Sequence, residues 1–379
     1  MHDFTSALYL GLRHPHRVLE PWARLTAGVP SAFHEPARAQ DVANKVARLA
    51  GCEQGILGAS TLHLFWDLFG IFARQPVRIF FDSGLYPIGR WGVERAAGLG
   101  APVHQFRHHD AQSLRRFLES DPLSQLQPIL VTDGYCPNCG NPAPLADYVR
   151  IGRAHGCRLI VDDTQALGIF GHSRRAVPPF GLGGGGTLRS SGLSGPDILV
   201  ISSLAKAFGV PLAVLSGSRA AIREFAGKSA TRVHCSPPAV PSIRAAEHAL
   251  AVNETRGDQL RFRLASLVAR FRAKADDAHL SMTGGLFPVQ TFDPASRSQA
   301  VRIHQQLQRA GIGTVLRTSP THANPRISFL INARHTRAQI DHAITALADI
   351  SSAGNAQSTL EASFSGRSKS AGTRLLYLP

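Results

Sequence analysis

The sequence predicts an α/β protein with a doubly wound, mostly parallel central sheet covered by helices on both faces, followed by a smaller C-terminal α+β domain. From about residue 77, short apolar runs alternate with longer amphipathic segments, at 77–81, 103–106, 128–131, 158–161 and 198–201. Runs this short, separated by helix-length stretches, are the pattern of parallel strands buried on both faces. Pro144 and Gly156 bracket the helix that precedes the fourth run, proline at its start and glycine just past its end. After about residue 240 the pattern changes to a long helix at 242–272, strand-like 287–292, a helix at 298–310, strand-like 327–331 and a helix at 337–350. That change sets the second domain.

Boundaries follow from these shifts. Residues 1–35 are expected to be an N-terminal segment packing with the small domain, 36–240 the large domain, 241–350 the small domain, and 351–379 a disordered tail of Ser, Gly, Ala and basic residues. The glycine-rich stretch beginning at 183–186 reads as a mobile surface loop, because glycine forms regular structure only at an entropic cost.

The composition narrows the class. A chain of 379 residues, 44% hydrophobic and 18% charged, can bury a sizeable core. No apolar stretch is long enough to span a bilayer and the first ten residues lack a secretory signal, so a cytoplasmic protein is expected, without a membrane partner. The formal charge of +15 invites a nucleic-acid reading, but the 41 basic residues are scattered among acids and run together only in pairs such as Arg115-Arg116 and Arg174-Arg175. A dispersed charge of this kind is a solvated surface, and no nucleic-acid partner is expected. Five cysteines without an export signal make no disulfide framework. Cys136-Pro-Asn-Cys139 would need two further ligands to hold zinc, and no second CxxC or HxxxH pair is evident. It is read as a turn with two small side chains, and no metal is expected.

Two segments carry chemistry. In Leu159-Ile-Val-Asp162-Asp163-Thr-Gln165-Ala-Leu-Gly168 an apolar strand ends in two carboxylates, and ligands of open α/β sheets bind at the carboxyl ends of strands. A helix cap or a metal ligand would look the same. In Asp197-Ile-Leu-Val-Ile-Ser202-Ser203-Leu-Ala-Lys206-Ala-Phe-Gly209, one of five lysines stands just past a buried strand among small and hydroxylated residues. It either emerges to solvent or serves as a Schiff-base lysine, whose amine must be desolvated enough to attack an aldehyde. Together, an acid and a lysine at two strand ends match the needs of pyridoxal 5'-phosphate (PLP). Its ring stores electrons only while the ring nitrogen stays protonated, and an adjacent carboxylate favours that charge by ~4 kcal/mol at an intermediate dielectric. Asp162 supplies the anion and Lys206 the anchor. Ser60 and Thr61, before the apolar helix at 62–72, either cap that helix or open its N-terminus to a phosphate.

These segments are identified as those of a known family. The chain resembles fold type I (aspartate aminotransferase-like) PLP enzymes, and within them the alpha-oxoamine synthases of the 8-amino-7-oxononanoate synthase type, from Asp3 to about Ile350. Asp3-Phe-Thr-Ser-Ala-Leu-Tyr-Leu-Gly-Leu is similar to "NFSSNDYLGL", His108-His109-Asp110 to "HND", and Thr132-Asp-Gly-Tyr with Ala143-Pro-Leu to "TEGVFSMDGDSAPL". Val161-Asp-Asp-Thr-Gln-Ala-Leu-Gly resembles "VDEAHSLG", and Ser203-Leu-Ala-Lys206-Ala-Phe-Gly resembles "TFGKGFG". The resemblance implies Asp162 on the pyridine nitrogen, Lys206 as anchor and proton shuttle, and Ser203 on the phosphate. Tyr86 falls where the family stacks an aromatic on the ring, and Arg326 matches an arginine that receives the amino-acid carboxylate. The implied reaction is a decarboxylating C-acyl transfer between an amino acid and an acyl thioester, delivered by coenzyme A or a carrier protein, in a homodimer with residues near 234–238 reaching toward the neighbour.

The chain departs from the family at positions that bear on the reaction. Gln165 replaces a histidine and can hydrogen-bond the cofactor's phenolic oxygen but cannot carry a proton. Pro137 replaces a serine and Ala7 an asparagine. Other PLP chemistry on an amino acid (aminotransferase, aldolase-type lyase or racemase) therefore stands as an alternative, as does a non-catalytic partner subunit of a PLP enzyme.

Overall fold

A computed structural model describes residues 1–18, 28–120, 125–172, 179–319 and 322–364. The chain divides into two compact units, Leu8–Phe262 and Met1–Ala7 with Arg263–Pro379.

The larger unit is built on a seven-stranded sheet. Its strands are β1 (Gln54–Gly58), β2 (Val77–Asp82), β3 (Val103–Phe106), β4 (Gln127–Asp133), β5 (Arg158–Asp162), β6 (Ile198–Ser203) and β7 (Ala213–Gly217), in the order β1-β7-β6-β5-β4-β2-β3. All neighbours are parallel except β7, which is antiparallel to both β1 and β6. The five apolar runs in the sequence are the five strands β2 to β6. Successive residues of these strands feed two separate cores, as the two-residue period of a strand requires. Ile79, Ile129, Ile160 and Ile201 join one core with Phe65, Phe69 and Val93 from helices on one face. Phe80, Leu130, Val161 and Val200 join the other with Leu114, Leu118 and Tyr148. Both faces are thus covered, and only the strand ends remain for a site.

The glycine-rich stretch is a correction to the reading of a mobile surface loop. Gly184 to Leu188 are buried, and the segment is laced to residues 168–172 by the bonds Gly168 N to Gly184 O (2.8 Å) and Gly186 N to Phe170 O (2.7 Å). Its glycines let backbone come within contact of Asp163. Gly186 has φ 89° and ψ −169°, and a Cβ there would lie 1.8 Å from Asp163 Oδ2. Gly186→Ala should cost about 3 kcal/mol, since this backbone region is open to glycine alone. Gly227→Ala, where the added methyl meets open space in the helix Arg219–Lys228, should be neutral or slightly stabilising. Thermal unfolding of the two variants beside the parent checks the contrast, and equal Tm values would refute it.

The smaller unit holds a four-stranded antiparallel sheet of β8 (Met282–Thr283), β9 (Val289–Phe292), β10 (Val315–Ser319) and β11 (His322–Leu330), in the order β8-β9-β11-β10, with the helix Arg297–Arg309. The first residues of the chain belong here. His2–Asp3 pairs in parallel with Ile312–Gly313, and the Phe4 ring stacks on His335 at 4.3 Å. The final helix spans Arg337–Phe364, so it continues past residue 350, where the sequence reading began a disordered tail. Three alanines and one each of glutamine, leucine and glutamate in the added length favour helix. Residues 365–379 lie outside the described residues. The helix Val240–Asp277 is continuous, and the division after Phe262 falls within it.

Candidate active site at the carboxyl ends of the strands

Strand β5 ends in Asp162, which is 6% exposed and accepts a hydrogen bond from Thr164 N at 3.0 Å. The Thr164 hydroxyl in turn accepts from Ser203 N at 3.0 Å, so one threonine ties the end of β5 to the end of β6. Beyond Ser203 the chain turns back at once into β7. That turn is closed by Leu204 N to Leu212 O (2.8 Å), Val210 N to Leu204 O (3.1 Å) and Gly209 N to Lys206 O (3.3 Å), with Gly209 at φ 65°. Lys206 is therefore presented from a bonded hairpin. Its Nζ lies 5.8 Å from the centre of the Tyr86 ring, in cation-π range.

Tyr86 is half exposed and stands at the N-terminal boundary of the helix Pro87–Gly98. Its backbone N–H donates to both oxygens of Asp133, at 3.1 and 3.3 Å. Asp133 is the last residue of β4 and pairs in register with Asp162 on β5. Two buried carboxyls thus sit side by side. Burial pushes Asp133 well above the ordinary carboxylate range and the Asp162 charge pushes it further. Burial also raises Asp162, but the Thr164 hydrogen bonds and the Lys206 charge oppose it. Like charges this close separate their titrations, and Asp133 is raised the further of the two.

Gln165 and the phosphate-side residues are placed as follows. Gln165 Oε1 accepts from the buried Tyr9 hydroxyl at 3.0 Å, which fixes the orientation of the amide. The Ser203 hydroxyl accepts from Ala205 N at 3.2 Å. Ser60 sits at the N-cap position of the helix Thr61–Phe72 but makes no side-chain capping bond; its Oγ lies 2.8 Å from His63 Nδ1. Arg326 lies in the smaller unit on β11, buried, with its guanidinium paired to Asp293 and donating to Thr283 Oγ1 at 2.8 Å. It already holds a carboxylate from its own unit. Asp110 accepts from Gln112 N and Ser113 N and is an ordinary helix cap.

Thr164, Tyr9, Asp133 and His63 were missed as site residues. Tyr9, Asp133 and Thr164 stood inside quoted motifs, whereas His63 carried no signal beyond its proximity to Ser60.

Asp163, next to Asp162, points the other way and accepts from Thr187 N (2.9 Å) and Thr187 Oγ1 (2.5 Å). Burial pushes its carboxyl up to about 7, against the pull of the two Thr187 bonds, and the neighbouring Asp162 adds to the rise. Between its unfolded value, about 4, and about 7 the folded chain holds a proton that the unfolded chain has released. Stability from this group therefore falls as pH rises through that window. Asp163→Asn should remove the slope, so the variant gains on the parent from pH 4.5 toward 7.5 in urea unfolding. Parallel curves would refute the assignment.

The seven-stranded order with a single antiparallel strand, a buried acid at the end of β5 and a lysine in the β6–β7 turn is the architecture of fold type I PLP enzymes. Residues 93–347 match the aminotransferase class I and II family, and the chain belongs to that family. Among curated proteins it is similar to 8-amino-7-oxononanoate synthase of Alkalilimnicola ehrlichii, 31% identical over 257 residues covering 66% of this chain and 62% of the relative. It is also similar to the Salmonella agona synthase of the same name, 26% identical over 358 residues covering 91% and 88% of the two chains. Among solved structures, a lysine-to-alanine variant of serine palmitoyltransferase from S. paucimobilis with a bound PLP-myriocin aldimine superposes with a TM-score of 0.82 at 17% identity, covering 93% of this chain and 88% of that one. The 8-amino-7-oxononanoate synthase of Francisella tularensis superposes with a TM-score of 0.71 at 17% identity, over 94% and 99% of the chains.

Proposed function

We propose that this chain is a PLP-dependent C-acyltransferase that joins the α-carbon of an amino acid to the carbonyl carbon of an acyl thioester, with loss of the carboxylate as carbon dioxide and of the sulfur as free thiol. The observation that carries the reading is the convergence of Asp162, Lys206 and Tyr86 at the strand ends. A buried anion, an amine and an aromatic face fit the ring nitrogen, the aldehyde and the ring of PLP. The helix N-terminus at Ser60 and Thr61, left without a side-chain cap, together with Ser203, fits the phosphate. The names of the relatives support the acyl-transfer branch.

When bound, PLP supplies an aldehyde for amine exchange and a ring that accepts electrons from the bond broken at the α-carbon. The chain's own residues do the rest. Asp162 would hold positive charge at the ring nitrogen. Lys206 would anchor the aldehyde and move a proton at the substrate α-carbon. Tyr86 would offer an aromatic face to the ring, and Gln165, braced by Tyr9, would donate its amide N–H to the phenolic oxygen. Arg326 would receive the substrate carboxylate.

The same reading makes the chain a cytoplasmic homodimer, with coenzyme A or a carrier protein delivering the acyl group and with neither nucleic acid nor membrane as a partner. No described helix is long and apolar enough to cross a membrane. Purified protein supplied with PLP, a panel of amino acids, and acyl thioesters of both kinds should release thiol and carbon dioxide together. Gln165, which replaces a proton-carrying histidine, favours the second reading of transamination. Accumulation of pyridoxamine phosphate without thiol release would select it and overturn acyl transfer.

A further inference from the structure

Cys136-Pro-Asn-Cys139 forms the expected turn, closed by Gly140 N to Cys136 O at 2.9 Å, but it is not alone. The strand order brings the ends of β4, β2 and β3 together, and with them Cys139, Asp82 and the His108-His109 pair. Metal-ligating atoms of His108, His109 and Cys139 all lie within 4.8 Å of one another. His108 Nε2 is 3.2 Å and His109 Nδ1 3.8 Å from Cys139 Sγ. These separations bracket the edge of a tetrahedral zinc site, about 3.6 Å between an imidazole nitrogen and a thiolate sulfur at ordinary bond lengths.

The surroundings are built for that task. His108 Nδ1 lies 2.6 Å from Asp82 Oδ1, so with Nδ1–H donating to that carboxylate the other ring nitrogen, Nε2, is the one turned to Cys139. This is the carboxylate-histidine arrangement that orients ligands around metals. Asp82 is itself held by Gly84 N (2.7 Å) and His109 N (3.0 Å), with the Tyr148 hydroxyl at 3.4 Å. Gly84 leaves the space that the ring fills, for a Cβ there would lie 2.3 Å from His108 Nδ1. His109 adopts φ 54°, a conformation uncommon outside glycine, and its ring rests on that of His108 with 3.8 Å between centres. Its Nε2 is buried without a hydrogen-bond partner. Cys139 is exposed, which gives a cation a way in.

We propose that His108, His109 and Cys139 form a binding site for a borderline-soft divalent cation of the Zn²⁺ class. Imidazole with thiolate selects this class over Mg²⁺ or Ca²⁺, which take oxygen ligands. Binding releases the Cys139 proton and turns the two rings out of their stack toward the ion. The site is independent of the proposed acyl transfer.

The test uses the full-length reduced protein, freed of metal and of any affinity tag. Titration with Zn²⁺ against a chromogenic chelator should show one tight equivalent per chain, and Co²⁺ in its place should give a thiolate charge-transfer band. Cys139→Ser and His108→Gln should each weaken binding at least about tenfold. Cys235→Ser, which removes an exposed cysteine outside the cluster, should leave it unchanged. A parent protein that takes up no Zn²⁺, cobalt bound without a thiolate band, or a Cys139→Ser variant that binds as tightly as the parent would each overturn the proposal. The cobalt spectrum is read on the parent alone, so it decides the matter even where a variant fails to fold.

Discussion

Lys206→Ala should yield a protein that binds PLP without retaining it through borohydride reduction and denaturation, and whose turnover falls by roughly 10⁴-fold or more. The parent, reduced in the same way, should give one tagged peptide, the one containing position 206. The expectation rests on placement. The β6–β7 turn presents the amine toward the ring of Tyr86, and the charge of Lys206 is near enough to stabilise the Asp162 anion. A tagged peptide from any of the other lysines, or substantial turnover in the variant, would remove the basis of the proposed function. Because the backbone of the turn is held by its own hydrogen bonds, the alanine variant should unfold at nearly the parental temperature, which separates loss of chemistry from loss of fold.

Asp162→Asn should lower turnover by roughly 10³-fold while leaving PLP attached. A carboxylate about 4 Å from a unit positive charge contributes about 4 kcal/mol at an effective dielectric near 20, and each 1.36 kcal/mol is about tenfold in rate. A second consequence comes from its neighbour. With the Asp162 charge gone, one of the causes holding Asp133 above the carboxylate range disappears, leaving burial and the smaller contributions of Cys136 and Asp82 to raise it. The pH profile of the variant should therefore shift along with its rate. A variant with parental turnover would show that Asp162 does not bear on the ring nitrogen.

Much of the scaffold was legible in the chain. The runs that became β2, β4, β5 and β6 are mostly apolar on both faces, and that pattern survives without any tertiary information. Strands β1 and β7 were not seen, because Gln-Gly-Ile-Leu-Gly and Ala-Val-Leu-Ser-Gly are short, carry glycine, and owe their conformation to pairing with each other. Of the candidate site residues, Lys206, Asp162 and Tyr86 are brought together, whereas Arg326 lies in the other unit and is engaged by Asp293. The glycine-rich stretch was misjudged because composition reports flexibility and cannot report an acid that needs bare backbone beside it. The histidine partners of Cys139 were hidden for a related reason. Ligand spacing rules describe sites within one local motif, and here the ligands reach each other only through the lateral order of three strands.

The hairpin that carries Lys206 sets a limit on how the amine can travel. Three backbone bonds and a left-handed glycine fix the Cα, so the sweep of the nitrogen is that of its four methylenes and no more. Shortening the arm by a single carbon cannot be made up by the loop leaning inward, and lengthening the loop would surrender aim without adding reach.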